Sequence, residues 1–346
     1  MVPPLVLAFA TALAGGWLYL RWAPRRALDV PNQRSSHTRP TPRGGGLVIV
    51  GGFFVGLIGW LAMGGSLSPR AIGWLIGALL VASVSFVDDL RPLPAGPRLA
   101  THVLGAAILT FAGVQNPELF PLAFVYITLL TNVYNFMDGI DGLATAQAII
   151  AGSALAIAGH LAANPLITTA GGLLAAASAG FLVYNLPPAR VFMGDVGSTF
   201  LGFSFAGLTL LGNIGVGGGR LPVELGLVIL APFVFDSLVT LARRILRGER
   251  WYAAHRSHYY QRLVLCGLSH GQVTSLYAGL AIVAAAAGLA GVNADQITRA
   301  SLDILAYAPM LCVVALVWRL EASEHAKQPN EPSTVVMSEP HGTEVM

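Results

Sequence analysis

The residues best suited to chemistry in this chain are six aspartates, five of which directly adjoin long apolar runs. They are Asp29 in LDVPNQRSSH, Asp88 and Asp89 in SFVDDL, Asp138 and Asp141 in NVYNFMDGIDGLA, and Asp195 in VFMGDVGS. An ionised carboxylate beside hydrocarbon is costly unless it is paired, so it indicates a functional site by default. Hard oxygen ligands suit Mg²⁺ or Mn²⁺, and Mg²⁺ is commonly held by one or two carboxylates together with substrate phosphates. The pattern predicts a metal site that handles phosphates.

Two of the motifs place carboxylates close together in the chain. Asp88 and Asp89 end an apolar run, and although adjacent helical residues diverge by about 100°, both can reach one polar cavity from a helix end. Two neighbouring carboxylates repel each other unless a cation lies near them. In the second motif, polar residues recur at every third position: Asn132, Asn135, Asp138 and Asp141.

The regular spacing of this second motif indicates one pocket. Asn132 and Asn135 fall on one face near the end of a helix. Glycines in the DGIDG turn allow a tight bend, so Asp138 and Asp141 can point back toward the same cavity. Asp141 could instead cap the following helix, but a cap explains one aspartate and not four polar residues in register.

Two basic loops could supply phosphate contacts. The loop 21–46 contains prolines that prevent a regular helix, three consecutive glycines that permit close backbone approach, and the candidate phosphate ligands Arg34, His37, Arg39 and Arg43. The segment RGERWYAAHRSHYYQRL brings together His255, Arg256 and His258. Zinc is disfavoured there, because the two histidines lack two further nearby Cys or His ligands. Asn185 and Phe192 precede Asp195 and complete the set of candidate residues.

The elements that must position these residues are membrane helices. Hydrophobic residues make up 55% of the 346 residues and charged residues only 11%, with a mean hydropathy of +0.67, whereas a soluble domain carries about 25% charged residues. Each span needs about 20 apolar residues, and the sequence predicts eleven: approximately 3–20, 45–64, 70–87, 99–115, 118–136, 143–162, 165–184, 198–214, 222–240, 272–291 and 300–318. The expected fold is an all-α polytopic bundle, with residues 1–319 as one transmembrane catalytic domain and 320–346 as a disordered cytoplasmic tail.

Basic residues set the expected orientation. Of the 20 Lys and Arg residues, 17 lie in one set of loops or in the tail, and only Arg70, Arg220 and Arg299 lie on the opposite side. The first set is therefore predicted to be cytoplasmic, with the N-terminus outside, the C-terminus inside, and every candidate carboxylate on the cytoplasmic face. Such a basic face attracts anionic lipid headgroups and anionic substrates.

The motifs DVPNQRSSH, TPRGGG, SFVDDL, NVYNFMDGIDGLA, VFMGDVGS and HRSHYYQ, in this order, resemble the polyprenyl-phosphate N-acetylhexosamine-1-phosphate transferases of the glycosyltransferase family 4 type. That superfamily includes phospho-N-acetylmuramoyl-pentapeptide transferase and the undecaprenyl-phosphate N-acetylglucosaminyl-1-phosphate transferases. The resemblance covers roughly residues 20–265. The HRSHYYQ loop departs from the consecutive histidine triplet of the muramoyl-pentapeptide enzymes and is closer to the branch that starts O-antigen and other surface polysaccharides.

The resemblance implies transfer of a sugar 1-phosphate from a UDP-N-acetylhexosamine to undecaprenyl phosphate at the bacterial inner membrane, with release of UMP. It implies Mg²⁺ as the cofactor, with Mn²⁺ as a substitute, and no nucleic-acid partner; a homodimer is compatible with it. By this likeness Asp88 and Asp89 are catalytic, and Asp195 and Asp89 are the metal ligands. The residues expected to bind substrate are Asn132, Asn135, Asp138, Asp141, Asn185, Phe192, His255, Arg256 and His258.

Two other classes of membrane protein use buried carboxylates. An ion-coupled transporter usually places them near the bilayer midplane on broken helices, whereas here they gather at one face beside Asn and Arg. An intramembrane aspartyl protease needs a GxGD element by family comparison, and Phe192-Met193-Gly194-Asp195 lacks the first glycine. The transferase is the favoured interpretation, and the transporter is the alternative.

Overall fold

A computed structural model describes residues 2–23, 27–30, 39–114, 116–250 and 255–327 of the chain. Helices account for nearly all of these residues. The helices are α1 (Val2–Trp22), α2 (Leu47–Ala62), α3 (Pro69–Leu90), α4 (Ala95–Gly113), α5 (Phe120–Phe136), α6 (Leu143–Leu161), α7 (Pro165–Asn185), α8 (Gly194–Asn213), α9 (Leu225–Ile229), α10 (Ala231–Leu246), α11 (Tyr259–Leu265), α12 (His270–Gly291), α13 (Gln296–Tyr307) and α14 (Pro309–Lys327). Two short antiparallel strands, β1 (Leu28–Asp29) and β2 (Thr41–Pro42), lie within the proline-containing loop that follows α1.

Seven helical segments in the described ranges are long and apolar enough to cross a membrane, by length and composition. They are Val2–Arg21, Pro69–Leu90, Pro117–Phe136, Leu143–Leu161, Pro165–Asn185, His270–Gly291 and Gln296–Ser323. The shorter helix Leu47–Ala62 is also apolar. These features agree with a polytopic membrane protein, while the number of eleven spans and the orientation stay predictions.

Two of the predicted spans are interrupted. The segment 222–240 is divided between α9 and α10 at Leu230, close to Pro232 in the first turn of α10. The segment 300–318 is divided between α13 and α14, and Pro309 begins the second helix. Proline has no backbone N–H to donate within a helix, which explains why an uninterrupted apolar run in the sequence becomes two helices.

The last helix is longer than the sequence predicted. We expected the disordered tail to begin at residue 320, but α14 continues to Lys327. The residues EASEHAK are mostly good helix formers, and Arg262 Nε donates to Glu321 Oε1 at 2.7 Å. This contact attaches the end of α14 to α11. Residues 328–346 lie outside the described ranges.

The helix α8 lies at the centre of the bundle and positions the candidate site. Its residues from Val196 to Gly212 are all buried, and it packs against α3 and α5. Glycines allow these close approaches: a Cβ at Gly202 would lie 2.7 Å from Cβ of Tyr134, and one at Gly207 would lie 2.4 Å from Trp74. Small residues at helix contacts are typical of packing in membranes.

Candidate active site

The buried carboxylate of Asp89 caps the N-terminus of α8. Its Oδ1 accepts from the backbone N–H of Asp195 and its Oδ2 from that of Val196, both at 3.0 Å. Gly194 makes this approach possible, because it has a φ of +73° and a Cβ there would lie 2.7 Å from both carboxylate oxygens. Asp89 therefore stabilises the first turn of α8 through hydrogen bonds and the helix dipole.

A second carboxylate completes this helix terminus. Asp138, in the turn between α5 and α6, accepts a hydrogen bond from the backbone N–H of Gly194. Burial, followed by the negative charges of Asp195 and Asp89, raises the pKa of Asp138 to about 8. With three N–H groups of α8 donating to two aspartates, these backbone donors are not available to an anion.

Asp88 and Asp195 face each other across an arginine that the sequence analysis did not single out. Arg98 Nη1 lies 3.2 Å from Oδ2 of Asp88 and 3.2 Å from Oδ2 of Asp195. The other oxygen of Asp88 accepts from the backbone N–H of Leu93, and Asn135 Nδ2 donates to Oδ1 of Asp195 at 3.1 Å. Thus Asp88 and Asp89, although adjacent, point to different partners while both border Asp195.

The carboxylate oxygens of this cluster (Asp88, Asp89, Asp138 and Asp195) are of the type that binds a hard divalent cation such as Mg²⁺. Arg98 already occupies the position between two carboxylates where a cation balances their charge. In the described part of the chain, no group of three or more His, Cys, Asp or Glu side chains is arranged to hold a metal ion by itself. An ion held by one or two carboxylates and by substrate phosphates is the arrangement that Mg²⁺ prefers. Since both oxygens of Asp89 bind backbone N–H groups, Asp88 and Asp195 are the better candidate ligands.

The TPRGGG loop packs directly onto the start of α8. Gly45 N donates to Phe192 O at 3.0 Å, and Gly46 N donates to Met193 O at 2.7 Å. Arg43, expected to contact phosphate, instead donates from Nε to the backbone carbonyl of Asp89 at 3.0 Å. The loop thereby fixes the end of α3 against α8. Among the other candidates in this loop, Arg34 and His37 lie outside the described residues.

Asn185 is buried and holds the backbone of this region. Its Oδ1 accepts from Gly142 N at 3.2 Å and from Thr145 Oγ1 at 2.7 Å, while its Nδ2 donates to Val191 O at 3.0 Å. These bonds connect the start of α6 to the loop before α8. They give Asn185 a structural task in the protein, whereas the sequence had indicated a substrate contact.

Asp141 does not cap α6, whose N-cap is Gly142 without a side-chain hydrogen bond. Its Oδ2 accepts from the backbone N–H of Ala189 at 3.0 Å, and its Oδ1 lies 3.3 Å from His270 Nδ1. The alternative cap assignment is therefore wrong for this residue. Asp141 supports the loop that carries Phe192, which is half-buried and contacts β2 through its backbone.

The HRSHYYQ segment, residues 255–261, forms a histidine loop that covers the turn after α5. Tyr260 Oη donates to Phe136 O at 3.1 Å, and the His258 ring lies 6.4 Å from the Phe136 ring. The ring centroids of His255 and His258 lie 5.0 Å apart, with the rings tilted by 35°, and burial lowers the pKa of His255 to about 4. Arg256 lies between them in sequence and is half-buried.

The structure brings some of the predicted site residues into the carboxylate cluster and places others away from it. It brings Asn135 together with the carboxylate cluster, whereas Asn132 points to the backbone of Thr128 and to His102, and Asp29 lies in β1. Sequence reasoning missed Arg98 and Asp236. The signal for Asp236 was available, because APFVFDSLVTL places a carboxylate inside an apolar run.

The chain is similar to known transferases. The sequence profile of glycosyl transferase family 4 matches residues 71–213. A probable undecaprenyl-phosphate N-acetylglucosaminyl 1-phosphate transferase of Bacillus subtilis is 33% identical over 261 residues, covering 70% of this chain and 71% of that protein. A decaprenyl-phosphate N-acetylglucosaminephosphotransferase of Mycobacterium tuberculosis is 26% identical, covering 81% and 80%. A phospho-N-acetylmuramoyl-pentapeptide-transferase of Synechococcus sp. is 30% identical, covering 81% and 88%. The profile match spans the whole carboxylate cluster, and Asp236 and the histidine loop follow it.

Proposed function

The chain belongs to glycosyl transferase family 4, and we propose that it transfers an N-acetylhexosamine 1-phosphate from a UDP-sugar to undecaprenyl phosphate, with release of UMP. The observation that supports this most directly is the convergence of Asp88, Asp195 and Asp138 at one end of the bundle. The comparisons favour this transferase activity over the transporter that the sequence left as the alternative.

In this reaction an oxygen of the acceptor phosphate attacks the phosphorus that carries the sugar. A new P–O bond forms, the P–O bond to the bridging oxygen breaks, and its electron pair leaves with UMP. Mg²⁺ bound by Asp195 and Asp88 would offset the negative charge of the pyrophosphate. Arg98 holds these two carboxylates near each other, and it is placed to contribute positive charge to the phosphates.

The remaining residues have distinct proposed tasks. Asp88 ends an apolar helix, so it is placed to orient or deprotonate an acceptor phosphate whose tail lies in the bilayer. Asp89 and Asp138 fix the start of α8 and thereby the position of Asp195. His258 and Arg256 are the proposed phosphate contacts, because the N-terminus of α8 is closed by carboxylates.

We place this activity at the cytoplasmic face of a bacterial inner membrane, because the basic residues are concentrated in one set of loops. We further propose that it is the first step in the synthesis of a cell-surface polysaccharide such as O-antigen. Two of the similar proteins carry N-acetylglucosamine in their names, so UDP-N-acetylglucosamine is the first donor to test, before the N-acetylgalactosamine and 6-deoxy-N-acetylhexosamine forms.

Purified protein incubated with the UDP-sugar, undecaprenyl phosphate and Mg²⁺ should release UMP. The release should require the lipid phosphate. UMP formation without acceptor would indicate a hydrolase, and no UMP with any of the three donors would refute the proposal.

A further inference from the structure

Asp236 of α10 is fully buried and receives an unusual number of hydrogen bonds. Its side chain has no solvent exposure. The donors to Oδ1 are Tyr259 N at 2.9 Å, His258 Nδ1 at 3.1 Å and Thr240 Oγ1 at 3.2 Å. The donors to Oδ2 are Tyr260 N at 3.0 Å and Tyr277 Oη at 2.5 Å. One carboxylate therefore connects α10, the N-terminus of α11 and α12.

This arrangement fixes which nitrogen of His258 carries a proton. The groups around Asp236 are donors, which matches an ionised carboxylate that can only accept. The Nδ1 atom of His258 must then be protonated to form its 3.1 Å contact with Asp236. In neutral His258 the lone pair is consequently on Nε2, since a neutral imidazole has one donor and one acceptor nitrogen.

The plane of the ring is also fixed. His258 stacks on Tyr260 with centroids 5.7 Å apart and an angle of 21°, and His255 lies on it at 5.0 Å. Nε2 has no hydrogen-bond partner among the described residues, and it is not one of the sealed, unpaired polar atoms of the interior. The side chain of His258 is 6% exposed and is held from its Nδ1 edge by Asp236, while its ring lies 6.4 Å from the ring of Phe136 at the end of α5.

We propose that Asp236 is a positioning residue that holds His258 with Nδ1 protonated and Nε2 presented to the substrate phosphates. This inference rests on the proposed transferase function for its chemistry, but the orientation of the ring does not depend on substrate. For histidines that ligate metals, a polar partner on the other ring nitrogen fixes the tautomer and the ring orientation, and its loss typically costs about 10–100-fold in metal affinity or activity; we expect a loss of activity in the same range for His258.

A purely structural role for Asp236 makes different predictions. The carboxylate also caps α11 through Tyr259 N and Tyr260 N, so its loss will lower stability in either case. Tyr277→Phe offers a matched control, because it removes one donor from Oδ2 and leaves the contact between Oδ1 and His258 intact. The control separates damage to the network from damage to the histidine.

The first experiment reads the tautomer directly. In detergent-purified protein labelled with [¹⁵N]histidine, the His258 signals are identified by their loss in His258→Gln, at a pH where the ring is neutral. We expect Nδ1–H and an unprotonated Nε2 in the wild type and in Tyr277→Phe, and loss of that preference in Asp236→Asn. An Nε2–H tautomer in the wild type would overturn the proposal even if Asp236→Asn failed to fold.

The second experiment is a double-mutant cycle on UMP release. Asp236→Asn should lower kcat/KM by about 10–100-fold, whereas Tyr277→Phe should lower it by less than about 3-fold. The double variant Asp236→Asn/His258→Gln should lower kcat/KM no further than His258→Gln alone, because the effects of residues that act through one another are not additive. Losses that multiply, or an equal loss in Tyr277→Phe, would refute a positioning role. Wild-type protein that releases no UMP would refute the transferase function, and the tautomer would still decide whether Asp236 orients His258.

Discussion

Replacing Asp89 by asparagine decides between two tasks for this carboxylate, a helix cap and a metal ligand. In the structure each of its oxygens accepts a backbone N–H of α8 at 3.0 Å. Asparagine retains one oxygen and turns an NH₂ group toward the other N–H. The variant therefore loses one charge-assisted hydrogen bond at a position that is only 3% exposed, and it removes a negative charge from the helix N-terminus.

The size of the effect follows from these two losses. A hydrogen bond to a buried charged group contributes about 1.5–3 kcal/mol, and a charge at a helix terminus about 0.3–1 kcal/mol. The cap assignment predicts a destabilisation of about 2–4 kcal/mol in metal-free protein. At about 2 °C per kcal/mol for a large chain, the apparent Tm should fall by about 4–8 °C.

The assay is thermal unfolding of detergent-purified protein in EDTA and in excess Mg²⁺. As a cap, Asp89→Asn should lower Tm in EDTA, and Mg²⁺ should still raise it. As a metal ligand, the same change would relieve repulsion from Asp195 and leave Tm in EDTA unchanged or higher, with the Mg²⁺ effect lost. That second pattern would refute our reasoning. Asp295→Asn is the control, because Asp295 caps α13 through Ile297 N and Thr298 N at an exposed position, so it should change neither quantity strongly.

Four further predictions concern the same site. EDTA should abolish UMP release and Mg²⁺ or Mn²⁺ restore it, and Asp195→Asn should lower kcat by about 10²–10³-fold, as expected for one charge-stabilising group; full activity in EDTA contradicts this. Asp88→Asn should abolish transfer and also weaken Mg²⁺-dependent binding of the UDP-sugar, because it removes one of the two proposed metal ligands as well as the group placed to orient the acceptor phosphate. Unchanged equilibrium binding of the UDP-sugar with Mg²⁺ would contradict the ligand assignment and leave Asp88 with the acceptor task alone. Asp141→Ala removes the carboxylate that accepts from the backbone N–H of Ala189, and it should raise KM for the UDP-sugar in folded protein. An unchanged KM together with a large fall in Tm would indicate that Asp141 contributes to stability alone. Because the pKa of Asp138 is raised to about 8, its carboxyl carries a proton at pH 7 and gains its negative charge only as the pH rises through 8. The affinity for Mg²⁺ should therefore rise from pH 6 to pH 8, and Mg²⁺ binding should release a proton. Calorimetry in two buffers of different ionisation enthalpy measures this release, and the absence of proton exchange would contradict the prediction.

The pattern of apolar runs was sufficient to predict the membrane-helical class and the positions of most helices. Such runs depend only on local composition, and each must satisfy its own backbone hydrogen bonds in lipid. The motifs that end these runs also predicted that Asp88, Asp138 and Asp195 lie together, and the structure brings them to the start of α8. The sequence allowed this prediction because each of the three motifs adjoins an apolar run on the predicted cytoplasmic side.

The roles of individual carboxylates required the tertiary structure. The sequence places Asp88 and Asp89 side by side, but only the packing of α8 against α3 directs Asp89 to backbone N–H groups and leaves Asp88 to Arg98. The pairing of Asp236 with His258 joins residues 22 positions apart, and no local period connects them.

Composition and short-range spacing thus predicted a helical membrane protein with its acidic and basic motifs at the ends of apolar runs. Which oxygen faces a backbone donor, a cation or a histidine was decided by how α3, α8, α10 and α11 pack. The physical reason is that hydrophobic burial acts along each segment, whereas a hydrogen bond needs its donor and acceptor within about 3 Å, and that distance is set only once helices from distant parts of the chain are in contact.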